Sequence, residues 1–406
     1  MGAAAMTRPL RTLLFSTLYP SSARPVHGIF VETRLRELLR SGEVETKVVA
    51  PVPWFWSTDK RWGDHASMAR TPQRETRNGI DVLHPRYPLL PKIGMTTAPL
   101  LLALACAPTV RRLIAEGFRF DVLDAHYYYP DGVAAALLAR WFNKPFTVTA
   151  RGTDLNLIPQ HAMPRAMIQW TARRADASIG VCSALVDVLR RWSIDPQRLH
   201  VMRNGVDLEF FRPMDRQAER TRRNISRFAL ASVGHLIERK GHHLVIGAMP
   251  NIPQADLYIA GSGPDEAALR AQAAALGVAD RVHFLGNVEP QVLRGLYNAV
   301  DVLVLASSRE GWANVLLESM ACGTAVVASN VWGTPEVVAS PHAGLLMDEL
   351  SANGVASAVL ALRGHPPDRA ATRRYAEDFS WGATTRGQIA LFDQILAART
   401  PVAAER

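Results

Sequence analysis

With 406 residues, 48% apolar and 20% charged, the chain is too long for one ordinary core and has the composition of a soluble two-domain protein. Its cysteines, Cys106, Cys182 and Cys322, are far apart and odd in number, which argues against a disulfide framework or cysteine-ligated metal and for a reducing cytoplasm. Net charge is +9 but uneven: residues 1–205 carry 27 Lys+Arg against 16 Asp+Glu, and residues 206–406 carry 19 against 21.

The opening residues 1–6 are apolar, but Arg8 and Arg11 follow them instead of preceding them, the reverse of a secretory signal. Strands are predicted at 12–16, 46–50, 80–83, 122–125, 146–149, 177–181 and 199–202, with helices at 31–40, 132–142 and 184–192. Such alternation gives a parallel sheet covered on both faces. Two stretches stand apart. Trp54-Phe55-Trp56, with Lys60, Arg61 and Trp62 after it, reads as a local aromatic cluster or as a membrane interface. The apolar run 98–110 has 13 residues, with Pro99 and Pro108. A spanning helix needs about 20 residues, so this is a core or interfacial helix.

Residues 207–227 are charged and irregular and read as a linker. Alternation restarts with strands at 228–233, 257–260, 282–285, 302–305 and 325–328, and helices at 241–248, 265–276, 290–298 and 313–321. Phe379-Ser380-Trp381 then opens an amphipathic stretch with Ile389, Leu391, Phe392 and Leu396. The chain thus divides into an α/β domain at 1–206, a linker, a second α/β domain at 228–378 and a terminal segment at 379–406. In such folds ligands bind beyond the carboxyl ends of the strands. The basic first half suits an anionic acceptor, a membrane surface or a merely solvated face. Nucleic acid is not expected, because helix-turn-helix, zinc-finger and RNP-like patterns are missing from the sequence.

The strongest chemical signal is Glu310-Gly-Trp-Ala-Asn-Val-Leu-Leu-Glu318, between a strand and a helix. Asn314 is a plausible N-cap, and the amides beyond it, from Val315 on, would form an anion cradle. Glu310 before the helix could accept hydrogen bonds from sugar hydroxyls, and Glu318 inside it could hold a ribose diol. Gly261-Ser262-Gly263-Pro264 lacks the third glycine of a dinucleotide fingerprint, since Glu266 stands there. Gly28 would let backbone approach a phosphate or acceptor. Arg151 and Asp154, just past a strand, could bind acceptor hydroxyls or orient their loop. The sequence has no Asp-x-Asp motif, so no metal or other cofactor is expected.

Together, residues 301–338, with Met320-Ala-Cys-Gly-Thr324 and Gly333-Thr-Pro-Glu336, resemble the donor region of the family-4 retaining glycosyltransferases. Val26-His-Gly-Ile-Phe30, Asp124-Ala-His126, Tyr129-Pro-Asp-Gly132, Arg151-Gly-Thr-Asp154 and Asn204-Gly-Val-Asp207 extend the likeness along the chain, nearest to the exopolysaccharide and teichuronic-acid type. The resemblance implies the GT-B fold: two facing Rossmann-like domains, a cleft between them, and a C-terminal helix crossing back to the first. It implies a nucleotide-sugar donor, held without metal by Lys240, Arg239, Gly28, Gly261, Gly263, Asn314, Val315 and Glu318. His126, Lys240 and Glu310 are the implied catalytic residues. His235 stands where the family usually has Arg, and Arg239 could supply the missing charge. A glycan or lipid-linked acceptor and a cytoplasmic site, at an anionic membrane face, complete the expectation. A sugar-nucleotide epimerase or a non-catalytic scaffold on this architecture remains the alternative.

Overall fold

The computed structural model describes residues 8–89 and 94–399, so the opening stretch 1–6 and the end of the terminal segment lie outside the described residues. The chain forms two units, Met1–Met202 with Gly382–Arg406, and Arg203–Trp381, each on its own sheet.

In unit 1, β1 (Leu10–Phe15), α1 (Ile29–Leu39), β2 (Val44–Val49), the short β3 (Val52–Pro53), β4 (Arg74–Arg77), β5 (Ile80–Leu83), the short β6 (Arg86–Tyr87), α2 (Gly94–Ala115), β7 (Val122–His126), α3 (Val133–Trp141), β8 (Phe146–Ala150), β9 (Ala177–Gly180) and β10 (Leu199–Val201) succeed one another. The eight-stranded sheet has the order β10-β9-β8-β7-β1-β2-β5-β4. It is parallel except for β4, which pairs antiparallel with β5. All residues of β7, β8 and β9 are buried, as strands with both faces covered must be. β2 lies on one side of β1 and β7 on the other, so the order reverses at β1 and a crevice opens past its carboxyl end.

Helix α2 has 22 residues, longer than the apolar run 98–110 that announced it. It is long and apolar enough to cross a membrane by length and composition, yet half of its most apolar window is buried. Leu102, Ala103, Cys106 and Leu113 are fully covered, where α2 packs on α3 and β6.

Unit 2 runs α4 (Arg216–Arg222), β11 (Phe228–Val233), β12 (Ala255–Ala260), β13 (Val282–Gly286), α5 (Pro290–Ala299), β14 (Val302–Leu305), α6 (Asn314–Ala321), β15 (Val326–Ser329) and β16 (Gly344–Met347). Its parallel sheet has the order β13-β12-β11-β14-β15-β16. The core is aliphatic, with Leu230, Leu257, Ile259, Val302, Val304 and Val327 inaccessible to solvent.

The stretch 207–227, read as an irregular linker, is instead part of unit 2. Several of its charges are paired and do not simply face solvent. Asp215 caps α4 by accepting from the Ala218 amide at 3.0 Å. Arg216 and Arg220 both grip Asp301, the latter at 3.1 Å. Glu219 is buried against Arg222 and Arg223.

The last helix, α7 (Trp381–Arg399), belongs to unit 1 from Gly382 on. Ile389 and Phe392 join Leu14, Val31, Leu35 and Val48 in one apolar cluster. Leu391 and Ile395 pack on Ala177 and Ile179.

Candidate active site

In unit 2, β11 and β14 are neighbours although β12 and β13 separate them in sequence, so the loops leaving their carboxyl ends diverge at the reversal of strand order. The loop after β11 carries Lys240, and the loop after β14 carries Glu310. Lys240 Nζ donates to Glu310 Oε1 at 2.6 Å, with the two side chains 18% and 8% exposed. Arg239 Nη1 lies 3.9 Å from the same oxygen and donates to the Arg309 carbonyl at 2.9 Å. The Ser308 amide returns a bond to the Arg239 carbonyl at 2.9 Å. Two cations therefore converge on one carboxylate, and Glu310, expected to receive sugar hydroxyls, receives Lys240 in this structure. His235, in the same loop, is exposed.

Gly261 and Gly263 owe their lack of a side chain to the protein itself. A Cβ on Gly261 would lie 1.9 Å from the Gly234 carbonyl oxygen, and one on Gly263 would lie 2.3 Å from that of Leu236. The Leu236 amide donates to the Ser262 carbonyl at 2.9 Å, clipping the loops after β11 and β12 together. These glycines set the position of the Lys240 loop.

The expected N-cap is corrected: Ala313 holds the cap position of α6, and Asn314 is the first helical residue. Asn314 Oδ1 instead takes a long 3.4 Å bond from Asn204 Nδ2, and the Trp312 indole donates to the Asn204 carbonyl at 3.0 Å. The Asn204 turn thus fixes the entry to α6, where Asn314 and Val315 stay partly exposed. The first amides of a helix have no partner within it and carry its positive end, so this turn suits an anion. Deeper in α6, Glu318 Oε2 accepts from the Tyr297 hydroxyl at 3.0 Å. Burial pushes Glu318 up to about 7, against the lowering effect of that bond. Tyr297, on α5, was not foreseen; it stands 21 residues before Glu318, at no local spacing that a sequence pattern could reveal.

In unit 1, Gly28 caps α1 with φ 68°, and a Cβ there would lie 2.3 Å from the Leu18 carbonyl carbon and oxygen. The close approach it permits is to the loop after β1. That loop is held by Asp131, quoted in the Tyr129–Gly132 motif but given no role there: its carboxylate accepts from the Thr17 amide at 2.7 Å and from the Thr17 hydroxyl at 2.9 Å. Burial pushes Asp131 up to about 7.

His126 ends β7 but is only 1% exposed. Its Nε2 lies 3.3 Å from Asp124 Oδ2, and its Nδ1 meets Arg151 Nη2. Burial lowers its pKa to about 4, so the ring is neutral near pH 7. In this structure both nitrogens of the imidazole, an implied catalytic group, are engaged inside unit 1. Asp124 is in turn held by Thr147 Oγ1 at 2.7 Å and by Gln388 Nε2, from α7, at 2.9 Å.

Asp154 settles one open alternative. It is 0% exposed and accepts from the amides of Tyr128 at 2.9 Å, Arg151 at 3.0 Å and Gly152 at 2.7 Å. It orients the loop after β8 and has no surface to offer an acceptor. Arg151 is nearly covered as well, 9% exposed, with its guanidinium over the Phe30 ring at 5.4 Å.

Comparison with known proteins bears on the family and the fold. The family model described as glycosyl transferases group 1 matches residues 214–379, and the one described as glycosyltransferase family 4 matches residues 69–210. The putative teichuronic acid biosynthesis glycosyltransferase TuaC of Bacillus subtilis is 25% identical over 86% of this chain and 88% of its own. A D-inositol 3-phosphate glycosyltransferase of Segniliparus rotundus is 32% identical over 53% of this chain, which spans about half (51%) of that relative's length. Among solved structures, a sucrose-phosphate synthase from Thermosynechococcus elongatus superposes with a TM-score of 0.77 at 22% identity, covering 96% of this chain and all (100%) of its own. Anabaena HepE in complex with UDP gives 0.69 at 18%, covering 95% and 100%. The chain belongs to the family-4 glycosyltransferases of GT-B fold.

Proposed function

We propose that the chain moves a glycosyl unit from a nucleoside diphosphate sugar to a hydroxyl of a glycan or lipid-linked acceptor, with retention at the anomeric carbon. The observation that carries this reading is the Lys240–Glu310 pair, with Arg239 beside it, past the ends of β11 and β14. A diphosphate arriving there would exchange for the carboxylate as the partner of Lys240. The first turn of α6 would hold its other oxygens, and Glu318 would accept from the ribose diol.

In the reaction, the bond from the anomeric carbon to the diphosphate oxygen breaks and its electron pair leaves with the phosphate. Lys240, Arg239 and the α6 amides stabilise the charge that develops. The acceptor oxygen attacks on the same face, and its proton passes to the departing phosphate oxygen. Fixed cations do the work of a metal, so none is required. His126 acts by fixing Arg151, and the β1 loop sets the donor-facing backbone at Gly28. Arg151 would face the acceptor. The relative TuaC supports a role in envelope or exopolysaccharide assembly. The excess of 27 Lys+Arg over 16 Asp+Glu in residues 1–205 supports work at the anionic cytoplasmic face of a membrane.

The test is incubation with UDP-, GDP-, ADP- and dTDP-sugars, reading nucleoside diphosphate release. UDP-sugars come first, because HepE was solved with UDP-glucose. Release with one donor, and a product of unchanged anomeric configuration by NMR, is expected. Release with none of them, given a suitable acceptor, would leave a binding scaffold.

A further inference from the structure

Unit 1 leaves a band of apolar surface uncovered. Leu100 and Leu104, one helical turn apart on α2, are 50% and 53% exposed. Opposite them on the same helix, Leu102 and Cys106 are sealed in the core. Two leucines facing water lose the burial that would otherwise favour them.

A second exposed apolar group is linked to α2 through the short strands. The helix packs on β6, β6 pairs with β3, and β3 runs directly into Trp54-Phe55-Trp56. Trp54, Trp56 and Trp62 are 60%, 65% and 42% exposed. Trp56 and Trp62 pack together with Phe55, which lies 5.7 Å from Trp56 and 5.8 Å from Trp62, and the Trp56 and Trp62 rings are 5.4 Å apart. Lys60 and Arg61 stand on the same turn, both exposed.

Charge gathers at the far end of α2. A cavity of about 290 Å³ there is lined by Arg74, Arg86, Arg112, His84 and Thr109, with Glu116 as its acidic member. Arg74 is paired with Asp81, and Arg86 donates to the carbonyls of Met68 and Thr71. Among the described residues, the exposed Arg112 guanidinium has no hydrogen-bond or ion-pair partner.

We propose that the outer face of α2 and the exposed tryptophans Trp54, Trp56 and Trp62 rest on an anionic lipid bilayer, with Arg112 and its cavity taking a lipid phosphate. A single composition meets all these features. Tryptophan rings favour the headgroup level, aliphatic side chains the acyl boundary below it, and arginines the phosphates. A protein groove would satisfy the leucines but gives no reason for exposed indoles flanked by Lys60 and Arg61. The proposal rests on the membrane-side reading above and names the surface that makes the contact.

The test uses the full chain with phosphatidylcholine vesicles, with and without phosphatidylglycerol, read by co-sedimentation and tryptophan fluorescence. Binding to the anionic vesicles with a blue shift is expected. W54S/W56S and L100Q/L104Q should each lower partitioning about tenfold, from the apolar area withdrawn. R112S should lower it about fivefold, as one cation near an anionic surface does. Nucleoside diphosphate release without vesicles should be unchanged in all three.

Wild-type protein that ignores both vesicles would overturn the proposal. So would unchanged partitioning of both double variants, or a dimer that L100Q/L104Q dissociates, which would make a second copy the occupant. Loss of donor turnover in the wild type would sink the transferase reading and leave vesicle binding standing.

Discussion

Replacing Lys240 with Met separates the chemistry of its ammonium group from its structural pairing. The variant leaves the Glu310 carboxylate, 8% exposed, without its 2.6 Å partner. Removing one member of a fully buried pair costs about 3–5 kcal/mol. Here Lys240 is itself 18% exposed and Arg239 remains 3.9 Å away. The expected loss is therefore smaller, about 1–3 kcal/mol, or roughly 3–10 °C in the melting temperature of a unit this size. Glu310→Gln in the same chain removes the stranded charge and should restore most of that stability. Turnover should behave differently. A charge-assisted contact to the leaving phosphate contributes about 1.5–3 kcal/mol, so release of nucleoside diphosphate should fall about 10- to 150-fold. Adding Glu310→Gln should not recover it. Thermal melts and single-turnover donor assays on the wild type, the two single variants and the double variant give the cycle. If the double variant regains both stability and turnover, Lys240 is only a counter-ion, and the phosphate assignment is wrong.

The remaining predictions concern the same two units. Glu318 is held up to about 7, above its ordinary 4.5, so the folded state favours the protonated acid. That stability is complete below about pH 4.5 and is lost as pH rises through 7, so Glu318→Gln should stabilise the chain by about 1–3 kcal/mol at alkaline pH and by nothing in acid. Melts at both pH extremes check it, and an equal gain at both would contradict it. Asp154→Ala strands the amides of Tyr128, Arg151 and Gly152. The loss should be about 3–5 kcal/mol in urea unfolding, and a loss under about 1 kcal/mol would remove its loop-holding role. Phe392→Ala should cost about 3–5 kcal/mol, because the ring is 0% exposed in the unit 1 core. A spectroscopic probe within unit 1 should report it. Chelation by EDTA should leave donor turnover intact, and a loss that added magnesium restores would reinstate a metal.

The two-sheet architecture was legible because β11, β12 and β14 are short apolar runs with helices between them, a periodicity that parallel packing imposes. The Glu310–Glu318 segment was legible for the same reason: it joins a strand to a helix. Partnerships were not. Nothing local in the sequence says that Tyr297 meets Glu318, or that Gln388 of α7 meets Asp124 of β7, 264 positions earlier. The charges at 207–227 were misread because ion pairs to Asp301 cannot be seen without the fold. His126 was picked out by the motif, but its orientation depends on Asp124 and Arg151, and only tertiary structure brings Arg151 to it.

Helix α7 also bears on how the chain is made. Unit 1 takes its first strand from Leu10 and its closing helix from Trp381–Arg399, so unit 2 is completed on the ribosome while unit 1 still lacks Ile389 and Phe392. Synthesis proceeds at about 5–20 residues per second, and an apolar face over α1 and β2 stays open throughout the interval. The nascent protein is therefore most exposed to chaperones and to misassembly in unit 1, and a helix translated after unit 2 is the one that closes it.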